Sequence, residues 1–172
     1  MLEISNLRGP HLGPVDLTLD AGECVAISGP SGAGKSLLLR AIADLDPSEG
    51  SVVLDGMMRE SIPAPQWRSR VGYLPAESGW WAERVGDHFL DAANATVQSL
   101  LERLSLPGKS LDWEVGRLST GEKQRLSLVR LLERGPRVLL LDEPTSALDD
   151  ETRASVEAII GERCTDGCGV VP

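Results

Sequence analysis

The chain has 172 residues and a formal net charge of −9, enough length for one domain with a substantial core. That charge argues against a non-specific nucleic-acid binder, whose affinity rests on clustered Lys and Arg neutralising phosphates. No apolar stretch approaches the roughly 20 residues of a membrane helix, and the N-terminus lacks the basic-then-apolar layout of a secretion signal, so the chain is expected in the cytosol.

Residues 2 to 5 and 15 to 19 alternate apolar and polar, as antiparallel strands with one wet face do, with a turn-rich piece from Arg8 to Pro14 between them. Glu23 to Ser28 is a short apolar run that reads as a buried strand containing Cys24. Gly29-Pro30-Ser31-Gly32-Ala33-Gly34-Lys35-Ser36 comes next and fits Gly-x-x-x-x-Gly-Lys-Ser at every fixed position. Lys35 to Ile42 reads as a helix, so the loop lies between strand and helix. Residues without a Cβ let a chain curl tightly enough to point successive N–H groups at a polyphosphate. The helix N-terminus then faces the phosphates, Lys35 reaches the β and γ groups, and the Ser36 hydroxyl is a candidate Mg²⁺ ligand.

Asp46 to Gly50 breaks the chain, and Ser51 to Leu54 reads as a strand running into a turn at Asp55-Gly56. Pro63 and Pro65 are expected to exclude regular structure up to Trp67, after which Val71 to Leu74 is a strand closed by Pro75. From about Ala82 to Leu106 the spacing turns helical, with Val97, Leu100, Leu101 and Leu104 on one face. Pro107-Gly108 ends that stretch. Leu118-Ser119-Thr120-Gly121-Glu122 opens a second helix carrying Leu128, Leu131 and Leu132, with Ser119 and Glu122 spaced for a capping box.

Val138 to Leu141 is aliphatic without alternation, the pattern of a parallel strand buried on both faces. Asp142 and Glu143 stand at its carboxyl end, where open α/β sheets hold ligands. Asp142 is the second candidate metal ligand, and Glu143 can polarise an attacking water. A last helix is expected over roughly 150 to 162, and residues 164 to 172 show no period. Cys24, Cys164 and Cys168 have no nearby His or second Cys pair to make a zinc site and read as structural or incidental.

These motifs together resemble the ATP-binding cassette (ABC) ATPases. Gly29–Ser36 is similar to their Walker A, Val138–Glu143 to their Walker B with its catalytic glutamate, Leu118 to Glu122 to their signature loop and Ser146-Ala147-Leu148-Asp149 to their D-loop. The resemblance covers residues 1 to about 162. It implies an α/β P-loop core with a mostly parallel sheet, an N-terminal antiparallel β part and a helical subdomain at about 77 to 118, making one nucleotide-binding domain over 1–163 with an irregular tail at 164–172. It implies ATP and Mg²⁺ held by residues 29 to 37 (Gly29, Pro30, Ser31, Gly32, Ala33, Gly34, Lys35, Ser36 and Leu37), with Ser36 and Asp142 on the metal and Glu143 and Lys35 as the catalytic pair. It further implies that two cassettes, identical or different, associate head to tail, so that Ser119, Thr120, Gly121 and Glu122 of one meet the ATP of the other. The cassettes would drive a separate integral membrane permease from the cytoplasmic side, peripheral at the inner face of the cell membrane. Trp80 and Trp81 suit either an anchor for that permease or core packing.

Several departures from the family pattern bear on activity. Ala76, followed by Glu77, stands where the family has a metal-touching glutamine, and alanine cannot ligate a metal. No aromatic occurs in residues 6 to 14 to stack on adenine; Arg8 and His11 are the candidate substitutes, with His11 more simply a surface residue. His88, in the helical stretch, is also read as a surface residue, and no later histidine can serve as the family's switch residue. The chain is therefore expected to bind ATP and turn it over slowly, as a C-terminally truncated cassette. The alternatives are a soluble ABC ATPase of the repair or translation type, or a hydrolysis-deficient ATP-binding module. Against the repair type, the interval from Lys35 to Ser119 is too short for a long coiled coil; against the translation type, there is one cassette rather than two.

Overall fold

A computed structural model describes all of residues 1–172. Two sheets organise it. The first is antiparallel, in the order β2-β1-β3-β4, with β1 at Leu2–Gly9, β2 at Leu12–Leu19, β3 at Glu49–Leu54 and β4 at Met57–Met58. The second is parallel, in the order β5-β6-β7, with β5 at Val71–Leu74, β6 at Val138–Leu141 and β7 at Gly169–Val171. The hairpin β1–β2 is longer than its alternation suggested, because the turn-rich piece narrows to Pro10 and His11, the latter in the left-handed region at φ 64°.

Strand β6 explains its own lack of alternation. Leu139 and Leu141 pack into one core with α3 (Ala95–Arg103), α4 (Thr120–Leu132) and α5 (Asp150–Thr165). Val138 and Leu140 pack on the opposite side with α1 (Lys35–Ile42), α2 (Ala64–Arg70) and the first sheet. All four residues of β6 are buried, and each such aliphatic side chain contributes about 2 kcal/mol on leaving water. Asp142 and Glu143 therefore leave the end of a strand clamped between two cores.

Four expectations are corrected. Residues 23–28 are not a buried strand: only Cys24 bridges Val170 of β7, with Val25 donating to the Val170 carbonyl at 2.9 Å, while Cys24, Ala26 and Ser28 are exposed. The pairing stops there because β7 is three residues long and the segment has no strand beside it further on. Residues 164–172 are not an irregular tail, since α5 runs to Thr165 and Gly169–Val171 form β7, in parallel register with β6, Val138 opposite Gly169. The two prolines start a helix rather than preventing one: Pro63 is the N-cap and Pro65 lies in the first turn of α2, where the missing N–H costs nothing. That helix buries Trp67 completely, its indole N–H donating to the Ile42 carbonyl at 2.9 Å. Finally, the helical spacing from Ala82 to Leu106 yields a short 3-10 turn at Val85–His88 and one α-helix, α3, begun by Asn94, whose side chain accepts from the Thr96 amide. Before it, the Leu90 and Asp91 amides donate to the Glu133 carboxylate instead of to a helix ladder.

Candidate nucleotide site

The phosphate loop runs from the extended segment 24–28 into α1. Gly32 and Gly34 have φ of 79° and 90°, and Gly34 is the N-cap of α1 with no side chain bonded to its first amides. The helix therefore begins with uncapped N–H groups and the positive end of its dipole, an anion seat. Lys35 folds across the loop, its ammonium donating to the carbonyls of Gly29 at 2.8 Å and Pro30 at 3.2 Å. A cavity of about 390 Å³ is lined by Ser31, Gly32, Ala33, Gly34, Lys35, Ser36 and Leu37 together with Asp142 and Glu143. The structure thus brings the two motifs, more than a hundred residues apart, to one cleft. Gly29 and Pro30, of the expected set, serve as the carbonyl rest for Lys35 rather than as lining.

At the far wall, the Asp142 amide donates to the Leu74 carbonyl at 2.8 Å, and the Tyr73 hydroxyl donates to Asp142 Oδ2 at 3.1 Å. Burial, and then the Asp142 charge, push the Tyr73 phenol up to about 12, so it stays a donor. Asp142 Oδ1 accepts no hydrogen bond from the protein. The hydroxyl of Ser36 and this carboxylate are hard oxygen donors sharing one cavity, which fits Mg²⁺. Glu143 is exposed and adopts φ 52°, a left-handed conformation costing roughly 1 kcal/mol for a residue with a Cβ.

That conformation is held from α4. Gln124, buried in α4, donates through Nε2 to the Glu143 carbonyl at 2.8 Å and accepts at Oε1 from the Ala147 amide at 3.3 Å. Neither Gln124 nor Tyr73 was singled out from sequence. For Gln124 a signal existed: a polar residue on the helix stripe of Leu128 and Leu131 is a buried amide looking for partners. For Tyr73 only the β5–β6 register reveals the role.

At the start of α4, the Ser119 hydroxyl accepts from the Glu122 amide at 3.2 Å, and the Glu122 carboxylate accepts from the Ser119 amide at 2.8 Å and hydroxyl at 2.9 Å. The expected capping box is present. The Ser119 amide, and then its hydroxyl, hold the Glu122 carboxyl below its usual range. Gly121 packs so closely that a Cβ there would lie 3.2 Å from the Ala147 carbonyl oxygen. None of Ser119, Thr120, Gly121 and Glu122 lines the phosphate-loop cavity.

Ala76 and Glu77 are both exposed beyond β5. Arg8 bonds Asn6 at 2.9 Å and lines a different cavity, with Pro47, Ser48 and Glu49. His11 is exposed, and its carbonyl oxygen lies 3.7 Å from where a Cβ on Gly34 would stand, so of the two substitutes it is the one beside the loop. The surface reading of His88 is corrected: it is buried, edge-on to the rings of Trp80 and Trp81 at 4.8 and 4.4 Å, with Arg130 stacked over both indoles at 4.7 and 5.0 Å. Of the two tryptophans, Trp80 packs against the core and Trp81 is 73% exposed. Cys168 is buried and Cys164 donates to the Gly22 carbonyl at 3.0 Å.

Residues 12–146 match the protein family described as ABC transporter. The chain is 36% identical over 158 residues to the probable iron export ATP-binding protein FetA of Escherichia coli (strain K12), covering 87% of this chain and 70% of that one. It is 37% identical over 169 residues to the methionine import ATP-binding protein MetN 1 of Pseudomonas syringae pv. syringae (strain B728a), covering 89% of this chain and half of that one. A solved structure described as the ATP-binding subunit of an ABC transporter superposes with a TM-score of 0.87 at 26% identity, over 99% of this chain and 77% of the other.

Proposed function

The chain belongs to the ABC transporter family as an ATP-binding, ATPase component, and from that premise we propose that it works as one half of a cassette pair that drives a membrane permease. The observation that carries this reading is a separation. Lys35, Ser36, Asp142 and Glu143 share one cleft, while Ser119 to Glu122 stand outside it at a capped helix start. A helix N-terminus with an exposed serine and a nearby glycine is an anion-contacting surface; within this chain it meets only its own Glu122 carboxylate, and a second copy turned head to tail would bring a phosphate to it.

In the bound state the amides of residues 32 to 36 and the α1 dipole take the phosphates, and Lys35 leaves the Gly29 and Pro30 carbonyls for the β and γ oxygens. Ser36 and Asp142 would hold Mg²⁺, which when bound would offset the charge that builds on the phosphates. Glu143 orients and accepts the proton of the attacking water. Its carbonyl is bonded by Gln124 of α4, the helix that begins at Ser119, so the surface facing the partner's ATP connects covalently and through one side chain to the catalytic acid. No helix is long and apolar enough to cross a membrane, and we place the chain in the cytoplasm against the inner face. Exposed Trp81, backed by Trp80 and Arg130, is the surface that meets the permease.

The test is light scattering of the purified chain with Mg²⁺ and ATP. Nucleotide is expected to shift wild type from monomer to dimer and to leave Lys35→Ala monomeric. A wild type that binds ATP yet never pairs would overturn the paired-cassette reading.

A further inference from the structure

We propose that Tyr73 is a positioning residue for the metal-binding carboxylate: its hydroxyl fixes Asp142 so that the free Oδ1 faces the cavity shared with Ser36. The inference rests on reading this cleft as the ATP and metal site. In the parallel register of β5 and β6, Tyr73 lies opposite Leu140, and paired residues of parallel strands project to the same face. Asp142 lies two positions beyond Leu140, so alternation returns its side chain to that face, next to the Tyr73 ring. The ring itself is immobilised, half-buried against the core that contains Val138 and Leu140. Two consecutive residues of β5 therefore hold Asp142: Leu74 through its carbonyl to the backbone amide at 2.8 Å, and Tyr73 through its hydroxyl to Oδ2 at 3.1 Å.

An aspartate at the end of a strand can otherwise turn about both side-chain torsions, and a cation binding it must freeze them. With Oδ2 occupied by a phenol whose ring packs against a core, that ordering is done before the metal arrives, and the remaining oxygen is the one offered. Tyr73 donates to the metal ligand and touches neither phosphate nor metal. It also explains why the chain's single tyrosine stands on an otherwise aliphatic four-residue strand.

The experiment compares wild type, Tyr73→Phe and Asp142→Asn, each saturated with a non-hydrolysable ATP analogue and titrated with Mn²⁺ while protein-bound Mn²⁺ is followed by its electron paramagnetic resonance signal. Phenylalanine keeps the ring and removes only the hydroxyl. Tyr73→Phe is expected to weaken Mn²⁺ binding roughly tenfold, the usual scale for losing a group that orients a ligand, and to leave metal-free nucleotide affinity and the melting temperature at wild-type values. Asp142→Asn marks the loss of the ligand itself. Equal Mn²⁺ affinity in wild type and Tyr73→Phe overturns the positioning role alone. A wild type that holds no Mn²⁺ with nucleotide overturns the metal-site reading and the positioning role together.

Discussion

Glu143 carries two separable properties, a carboxylate exposed to the cleft and a backbone held at φ 52° by Gln124. Glu143→Gln keeps the backbone and removes the proposed general base. Hydrolysis is expected to fall about 10²- to 10⁴-fold, the range of general-base contributions, with ATP affinity within about twofold of wild type. A steady-state phosphate-release assay beside equilibrium nucleotide binding checks both numbers. Gln124→Ala does the reverse, leaving the carboxylate but releasing its support. The Glu143 carbonyl keeps the Ser146 amide and hydroxyl as donors at 3.3 and 3.2 Å, so the cost is that of the lost Gln124 hydrogen bonds, about 1 kcal/mol. Chemical denaturation should register that loss, together with reduced turnover at unchanged ATP affinity. Full activity in Gln124→Ala would show that α4 does not govern Glu143.

Among the elements, β3 depends on Gly50 at its start, at φ 101°, where an added Cβ would overlap the Asn6 carbonyl of β1. The obstacle is backbone, which cannot swing aside. Gly50→Ala should therefore destabilise by roughly 3 kcal/mol, seen as a lowered denaturation midpoint, whereas Gly56→Ala, with open space around it, loses only its favourable φ. The region before α3 depends on His88. Burial, with the nearby Arg130 cation adding to it, lowers the His88 pKa from its ordinary 6.5, against the opposing pull of the Ala82 hydrogen bond and Asp87. A histidine with a depressed folded value binds its proton more readily when unfolded, so its contribution is complete above pH 6.5 and is lost as pH falls below it. The melting temperature should fall between pH 7.5 and 5.5, and His88→Gln should flatten that interval. An unchanged slope in the variant would mean other groups carry the acid sensitivity.

For the whole molecule, the proposed pairing would join two chains of net charge −9, each carrying an anionic nucleotide. Like charge opposes approach over a Debye length of about 30 Å at 0.01 M salt and about 8 Å at 0.15 M. ATP-driven pairing should therefore strengthen as salt rises across that range, measured as the dimer fraction in light scattering. Weakening with salt would point instead to attraction between complementary patches as the dominant force.

The same scale separates what was legible in the amino-acid order from what was not. The phosphate loop, the uniform burial of Val138 to Leu141, the capping box at Ser119 and the helix after Asp149 could be read directly. Each depends on interactions within a few residues: a backbone turn, a strand's two faces, a side chain reaching its own helix. The sequence also placed Lys35, Ser36, Asp142 and Glu143 as partners through motif chemistry. Tertiary structure alone decided the rest. It left residues 24–28 largely unpaired and made Gly169–Val171 a buried strand, because strand pairing depends on which segment lies alongside, not on composition. It buried His88 beneath two tryptophans, set Tyr73 against Asp142 through the register of β5 on β6, and brought Gln124 to the Glu143 carbonyl. Apart from the local stack of His88 on Trp80 and Trp81, these contacts join segments separated along the chain, and distance in sequence carries no record of where a hydrogen-bonding atom finally points.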